Sequence, residues 1–138
     1  MIKKIIACFV FLTLLGCWPV ETHDPEEAYE YWAKSEPPEE IELLEGTYYQ
    51  TPHFTLEYEC FLKFRADKKW FEEFVNHNKL QPDTIGHNWS RYTKVPDWFN
   101  PDDSYLIYAL DPEEKFKRSR YFYHRNMGIC YIYQTIGM

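Results

Sequence analysis

The sequence predicts an α+β fold of two layers, an antiparallel sheet of about five strands with one main helix packed on it. Three observations carry this expectation. Phe54, Leu56, Tyr58, Cys60, Leu62 and Phe64 recur at every second position, the period of a strand with one buried and one wet face. Asp67 then opens a stretch to about Leu80 in which Trp70, Phe71, Phe74 and Val75 form one stripe. Lys68, Lys69, Glu72 and Glu73 face water from the same stretch, as on a helix covering a sheet. Three more strand-like runs follow, at residues 105–110, 120–125 and 128–136.

The remaining elements fill in around these. Residues 41–49 pair with the period-two run as a hairpin turned by the "QTPH" stretch. Phe61 is the one apolar residue that breaks the wet face of that run. The last two strands join through Asn126, Met127 and Gly128, with glycine taking the left-handed position. The order is a hairpin, a helix and a three-strand meander, within a length of 138 residues that suits one domain. The expected division is a leader at residues 1–16, an acidic tether at 17–38 and the domain at 39–138. Inside the tether, Asp24, Pro25, Glu26 and Glu27 make a helix start, a cap followed by proline and acids in the first turn. That short helix runs to about Lys34 and either packs on the domain or lies near a membrane surface.

The first seventeen residues carry the most specific signal. Lys3 and Lys4 precede a predominantly apolar stretch, residues 5–15, about half the ~20 residues a membrane-spanning helix needs and the length of a signal-peptide core. It ends in Leu14, Leu15, Gly16 and Cys17. This ending resembles the lipobox of bacterial lipoproteins, in which a small residue precedes the cut and the cysteine receives a diacylglycerol thioether. The resemblance covers the leader only. It implies that Cys17 becomes an acylated N-terminus, that more than one acyl chain gives stable attachment to the bilayer, and that, in a Gram-negative host, Trp18 in the next position directs the protein to the outer membrane. An ordinary secretory signal with a chance cysteine, or an uncleaved anchor, is the alternative.

Charge and cysteine usage narrow the function classes. The formal net charge is −7, and −9 once Lys3 and Lys4 leave with the leader, so the electrostatic term for a phosphate backbone is repulsive and no nucleic-acid partner is expected. Cys8 leaves with the leader and Cys17 takes the lipid, so Cys60 and Cys130 remain in an exported, oxidising compartment. Both fall on apolar strand faces, and a Cys60–Cys130 disulfide is expected, with two buried free thiols as the alternative.

Candidate chemistry is sparse. Glu57 and Glu59 leave one strand face together, as a carboxylate pair would, although paired acids on a wet face are ordinary. None of the five histidines has a short metal-binding spacing, no serine sits in a G-x-S-x-G elbow, and five glycines build no phosphate loop. No cofactor and no metal is expected. Residues 81–103 form a long, proline-stiffened segment in which Trp89, Arg91, Tyr92, Trp98 and Phe99 make the candidate partner-binding or ligand-binding set. The alternative is that these aromatics fold back to plug the sheet.

The expected function is that of a non-enzymatic, membrane-anchored protein of the cell envelope. It binds a protein partner through the 89–99 loop or an exposed sheet edge, as an inhibitor or immunity protein does. A glycan-binding module using the loop tryptophans is the second reading, and a hydrolase assembled from His87, Asp97 and Glu57 the third.

Overall fold

The computed structural model describes residues 18–84, 94–114 and 117–137. They form one open sheet of seven antiparallel strands with two helices on one face. The strands are β1 (Val20–Thr22), β2 (Glu42–Gln50), β3 (Tyr58–Arg65), β4 (Gln81–Pro82), β5 (Leu106–Ala109), β6 (Arg120–His124) and β7 (Ile129–Ile136), and their spatial order is β1-β2-β3-β7-β6-β5-β4. Helix α1 is Pro25–Ala33 and helix α2 is Lys68–His77. The sheet is larger than the five strands expected, because β1 and β4 extend its two edges. Strands of three and two residues are too short to show a period.

Both helix starts follow from their caps. The Asp24 carboxylate accepts the Glu27 N–H at 2.9 Å, and Pro25 occupies the first helical position of α1. Asp67 accepts the Trp70 N–H at 2.7 Å to open α2. Helix α1 lies directly on β2, where a side chain at Gly46 would put its Cβ 2.8 Å from the Cα of Pro25; glycine is what lets the two backbones approach so closely. Residues 20–33, expected in the tether, are therefore built into the sheet and its packing, with Ala28 and Tyr29 buried. At the other end of the sheet Gly128 turns β6 into β7 with φ +64°, as the sequence required, in a loop of residues 125–128.

The helix-covered face holds the larger core. Tyr48, Cys60, Leu62, Phe64, Cys130 and Ile132 point into it, joined by Phe71 from α2 and Ala28 from α1. Phe71 stacks on Tyr123 at 4.5 Å between ring centres, and Trp70 on Phe74 at 5.5 Å, offset-stacking distances that add to area burial. One polar group is folded into this layer with its bonds made. Gln134 Oε1 accepts the Trp32 indole N–H at 2.9 Å and the Tyr121 hydroxyl at 2.8 Å, and its amide N–H donates to the Tyr58 hydroxyl. It ties α1, β3, β6 and β7 together without leaving an unpaired polar group in the core.

The opposite face is not wet, contrary to expectation. Phe61, Phe122, Ile129, Tyr131 and Tyr133 form a second core, capped by Phe99 with Val95, Trp98 and Tyr105. Phe61, the residue that broke the alternation, stacks on Tyr133 at 4.7 Å. Near the β4 edge, a buried pair closes the sheet: Arg120 Nε donates to Asp83 at 2.8 Å, and Arg120 Nη1 donates to the carbonyls of Lys117 and Ser119 at 2.7 and 2.8 Å. These bonds satisfy the guanidinium in a place where a bare charge would be costly.

The expected disulfide is absent: Cys60 and Cys130 are free and buried. They share the helix-covered face, as the alternation predicts, but the register separates them. Cys60 lies opposite Gln134 and Cys130 opposite Phe64, an offset of four residues or roughly 13 Å along the strands at ~3.3 Å per residue. A bridge needs Cα atoms within about 7 Å. The domain therefore keeps its melting temperature in reductant, and thiol titration of the unfolded domain finds both Cys60 and Cys130; a fall in melting temperature on reduction would contradict this register.

Candidate interaction surface

The structure separates the expected loop set. Cys17, His87, Trp89, Arg91 and Tyr92 lie outside the described residues. Phe99 is a core residue, 4% exposed, with ring centres 5.1, 5.0 and 5.9 Å from Phe61, Tyr131 and Phe122. It plugs the sheet and has no surface to offer a partner. Trp98 is half-buried beside it, edge-on to Phe99 at 5.9 Å, and keeps one side toward a cleft. A backbone turn sets this pair, the Phe99 N–H bonding to the Pro96 carbonyl at 2.9 Å.

That cleft, of about 490 Å³, runs between residues 94–98 and the first three strands on the loop-covered face. Thr47, Tyr49, Glu59 and Phe61 form its floor, with Trp98, Lys94 and Asp97 on one wall and Glu21 and His23 on the other. The Tyr133 hydroxyl donates to Glu59 at 3.1 Å, and His23 lies 3.4 Å from Glu21. Asp97 lines the cleft, whereas Glu57 sits in the β2–β3 turn, its carboxylate accepting bonds from Thr51 and Thr55 at 3.3 and 3.4 Å. The two carboxylates expected in one hydrolytic site thus lie in different places.

No group of three or more metal-ligating side chains occurs among the described residues. Asp102 instead closes its own turn: hydrogen bonds from the Ser104 hydroxyl and N–H hold its carboxyl below the ordinary range. Burial pushes the thiols of Cys60 and Cys130 well above their usual range, the Glu59 charge adding to the effect at Cys60. A thiol held protonated in apolar surroundings is packing material, not a nucleophile. Burial likewise raises Tyr48 to about 12, with Tyr58, Cys60 and Tyr31 contributing.

Charge is strongly segregated along the chain. Residues 18–45 contain ten acids against Lys34 alone, whereas residues 46–138 contain twelve acids and twelve bases. All of the excess negative charge therefore belongs to β1, α1, the return to β2 and the start of β2. Glu21, Asp24, Glu26, Glu27, Glu30, Glu36, Glu39, Glu40, Glu42 and Glu45 are all exposed. Few have local compensation. Glu42 meets Arg65 at 2.7 Å, and Asp24 and Glu27 bond to α1 and Thr22. Glu26, Glu30, Glu36, Glu39, Glu40 and Glu45 have no cation within 4.0 Å among the described residues. The result is an acidic side on the β1–α1–β2 edge, next to the cleft through Glu21. The sequence carries this signal as a composition shift at residue 45, but an acidic, proline-punctuated stretch has the composition of a tether, and only the packing of residues 20–33 on the sheet makes it a folded surface.

The chain matches no family model, and neither a curated protein nor a solved structure is similar to it.

The two aromatics of residues 98 and 99 separate packing from recognition. Phe99→Ala is expected to cost about 3–5 kcal/mol of stability, the usual range for emptying a buried phenylalanine site. Trp98→Ala, at a half-buried position, is expected to cost clearly less and to leave the denaturation cooperative. Equal destabilisation by both in urea unfolding would make residue 98 part of the core.

Proposed function

We propose that this chain is a lipid-anchored protein of the cell envelope, acylated at Cys17, whose domain binds a cationic protein partner through its acidic β1–α1–β2 side. The mode of action is that of a non-enzymatic inhibitor or immunity protein, which works by covering its partner. The observation that carries this reading is the segregation of charge: ten exposed acids and a single lysine between residues 18 and 45. A folded protein that only needed solubility would spread its charge, since concentrating like charges on one side costs repulsion. Such a side attracts a positively charged surface over distances of about a Debye length and speeds its docking. It also repels phosphate backbones, in keeping with the expectation of no nucleic-acid partner.

The cleft supports a second reading. Its Tyr49, Phe61 and Trp98 rings beside the carboxylates of Glu21, Glu59 and Asp97 are groups that pack on sugar faces and bond to hydroxyls. In this reading the ligand is a glycan of the envelope.

Neutralising Glu26, Glu30, Glu39 and Glu40 together as Gln distinguishes the two. Under the leading reading, association of the partner slows by about tenfold or more at low salt and the salt dependence flattens, while the melting temperature hardly changes. Under the glycan reading, Trp98→Ala removes binding and the four substitutions do nothing. Binding kinetics across a salt series read both outcomes.

A further inference from the structure

We propose that one end of the sheet is a lipid-contacting surface, and that it holds the domain upright on the bilayer with its acidic side facing water. The inference rests on acylation at Cys17 and adds the orientation of the domain.

The register brings this end together. Val20, where the sheet begins, is opposite Gln50; Gln50 is opposite Tyr58; and Tyr58 is opposite Ile136. The β2–β3 turn and both ends of the described chain therefore share one edge of the molecule. Four of the eight large hydrophobic side chains exposed among the described residues are found there: Trp18 at 71%, Phe54 at 100%, Leu56 at 49% and Ile136 at 44%. Exposed apolar side chains gathered at one end, rather than scattered singly, mark a surface that gains by being covered.

Chain length says which occupant. Only Trp18 and Pro19 separate Cys17 from Val20, three Cα steps that span at most about 11 Å when fully extended. A domain acylated at Cys17 cannot swing free on a tether, because its first strand is already in the sheet. It must rest within headgroup distance of the hydrocarbon, and the end that meets the surface is the one bearing Trp18. Tryptophan favours this boundary, one side apolar and one side able to bond to water.

Electrostatics agrees. The turn "TPHFTL", residues 51–56, contains no acid, and the adjoining Glu57 is turned onto Thr51 and Thr55. Glu39, Glu40 and Glu42 lie at the opposite end, beside Arg65 and Met127. The acid-free turn therefore faces the anionic headgroups; Glu21 and Glu57 are the acids that adjoin this end, while Glu39, Glu40 and Glu42 are held away from it.

The test uses the acylated chain, extracted from membranes and reconstituted into vesicles of phosphatidylethanolamine and phosphatidylglycerol. Phe54→Cys and, separately, Met127→Cys receive a polarity-sensitive fluorophore. Both positions are exposed, at 100% and 53%, and the native thiols are buried. The expected result is a blue-shifted emission at position 54 and severalfold stronger quenching by nitroxide-labelled lipid there than at position 127. Equal quenching at the two positions, with the protein sedimenting with the vesicles, overturns the orientation and leaves the anchor standing. A label at position 54 that is shielded from water yet insensitive to the lipid quencher overturns it in favour of a second copy of the chain. Protein that does not sediment with the vesicles overturns the anchor and the orientation together.

Discussion

The pairing of β3 with β7 is the constraint on which the rest of this structure depends. Eight consecutive residues on each strand face one another, Tyr58 against Ile136 through Arg65 against Ile129. The pairing joins two local meanders, β1-β2-β3 and β4-β5-β6-β7, that would otherwise be separate ribbons. It is far from local in sequence: Tyr133 bonds to Glu59 across 74 residues, so its closure entropy must be offset by what the two central strands bury. That burial occurs on both sides. Leu62, Phe64, Cys60, Cys130 and Ile132 face the helices, and Phe61, Tyr131 and Tyr133 face the loop. A sheet apolar on both faces needs two covers, and α1 with α2 on one side and residues 95–105 on the other supply them.

Much of this was legible one element at a time. The caps at Asp24 and Asp67 announce their helices because a short carboxylate before an open turn has a defined hydrogen-bonding job. The alternation from Phe54 to Phe64 announces β3 because its inner face is almost wholly apolar, but the strand starts only at Tyr58, and Phe54 and Leu56 are exposed in the turn before it. What stayed hidden required knowing partners. Strands β1 and β4 are made by their neighbours' edges rather than by their own sequence. Phe61 was the visible sign of a second core, yet one apolar residue on a wet face is ordinary, and only Phe99 arriving from residues 95–105 gives it meaning. The cysteines show the same limit: alternation tells which face a side chain takes but not how far along the neighbouring strand its partner lies. Face is local information, and register is not.

The candidate surface has a similar history. An acid-rich, proline-punctuated N-terminal stretch reads as a solvated tether, and by composition it is one. Gly46 overrides that composition by admitting Pro25 and Ala28 against β2, and once α1 is seated its acids become a fixed side of the domain. The folded position of residues 20–33 also changes what a lipid at Cys17 would do. It would act as a short rivet rather than a leash, and a rivet sets direction. In this account the apolar tip and the acidic side are two parts of one arrangement, in which the bilayer fixes the first and leaves the second open to a cationic partner.

Hydrogen exchange on the acylated chain, compared in detergent-free vesicles and in detergent micelles, tests that arrangement most directly. The account predicts that bilayer attachment slows exchange selectively in residues 51–57 and leaves the amides of residues 26–45 as they were. Slowing across α1 and the start of β2, with residues 51–57 unchanged, would mean that the acidic side faces the lipid and would contradict it.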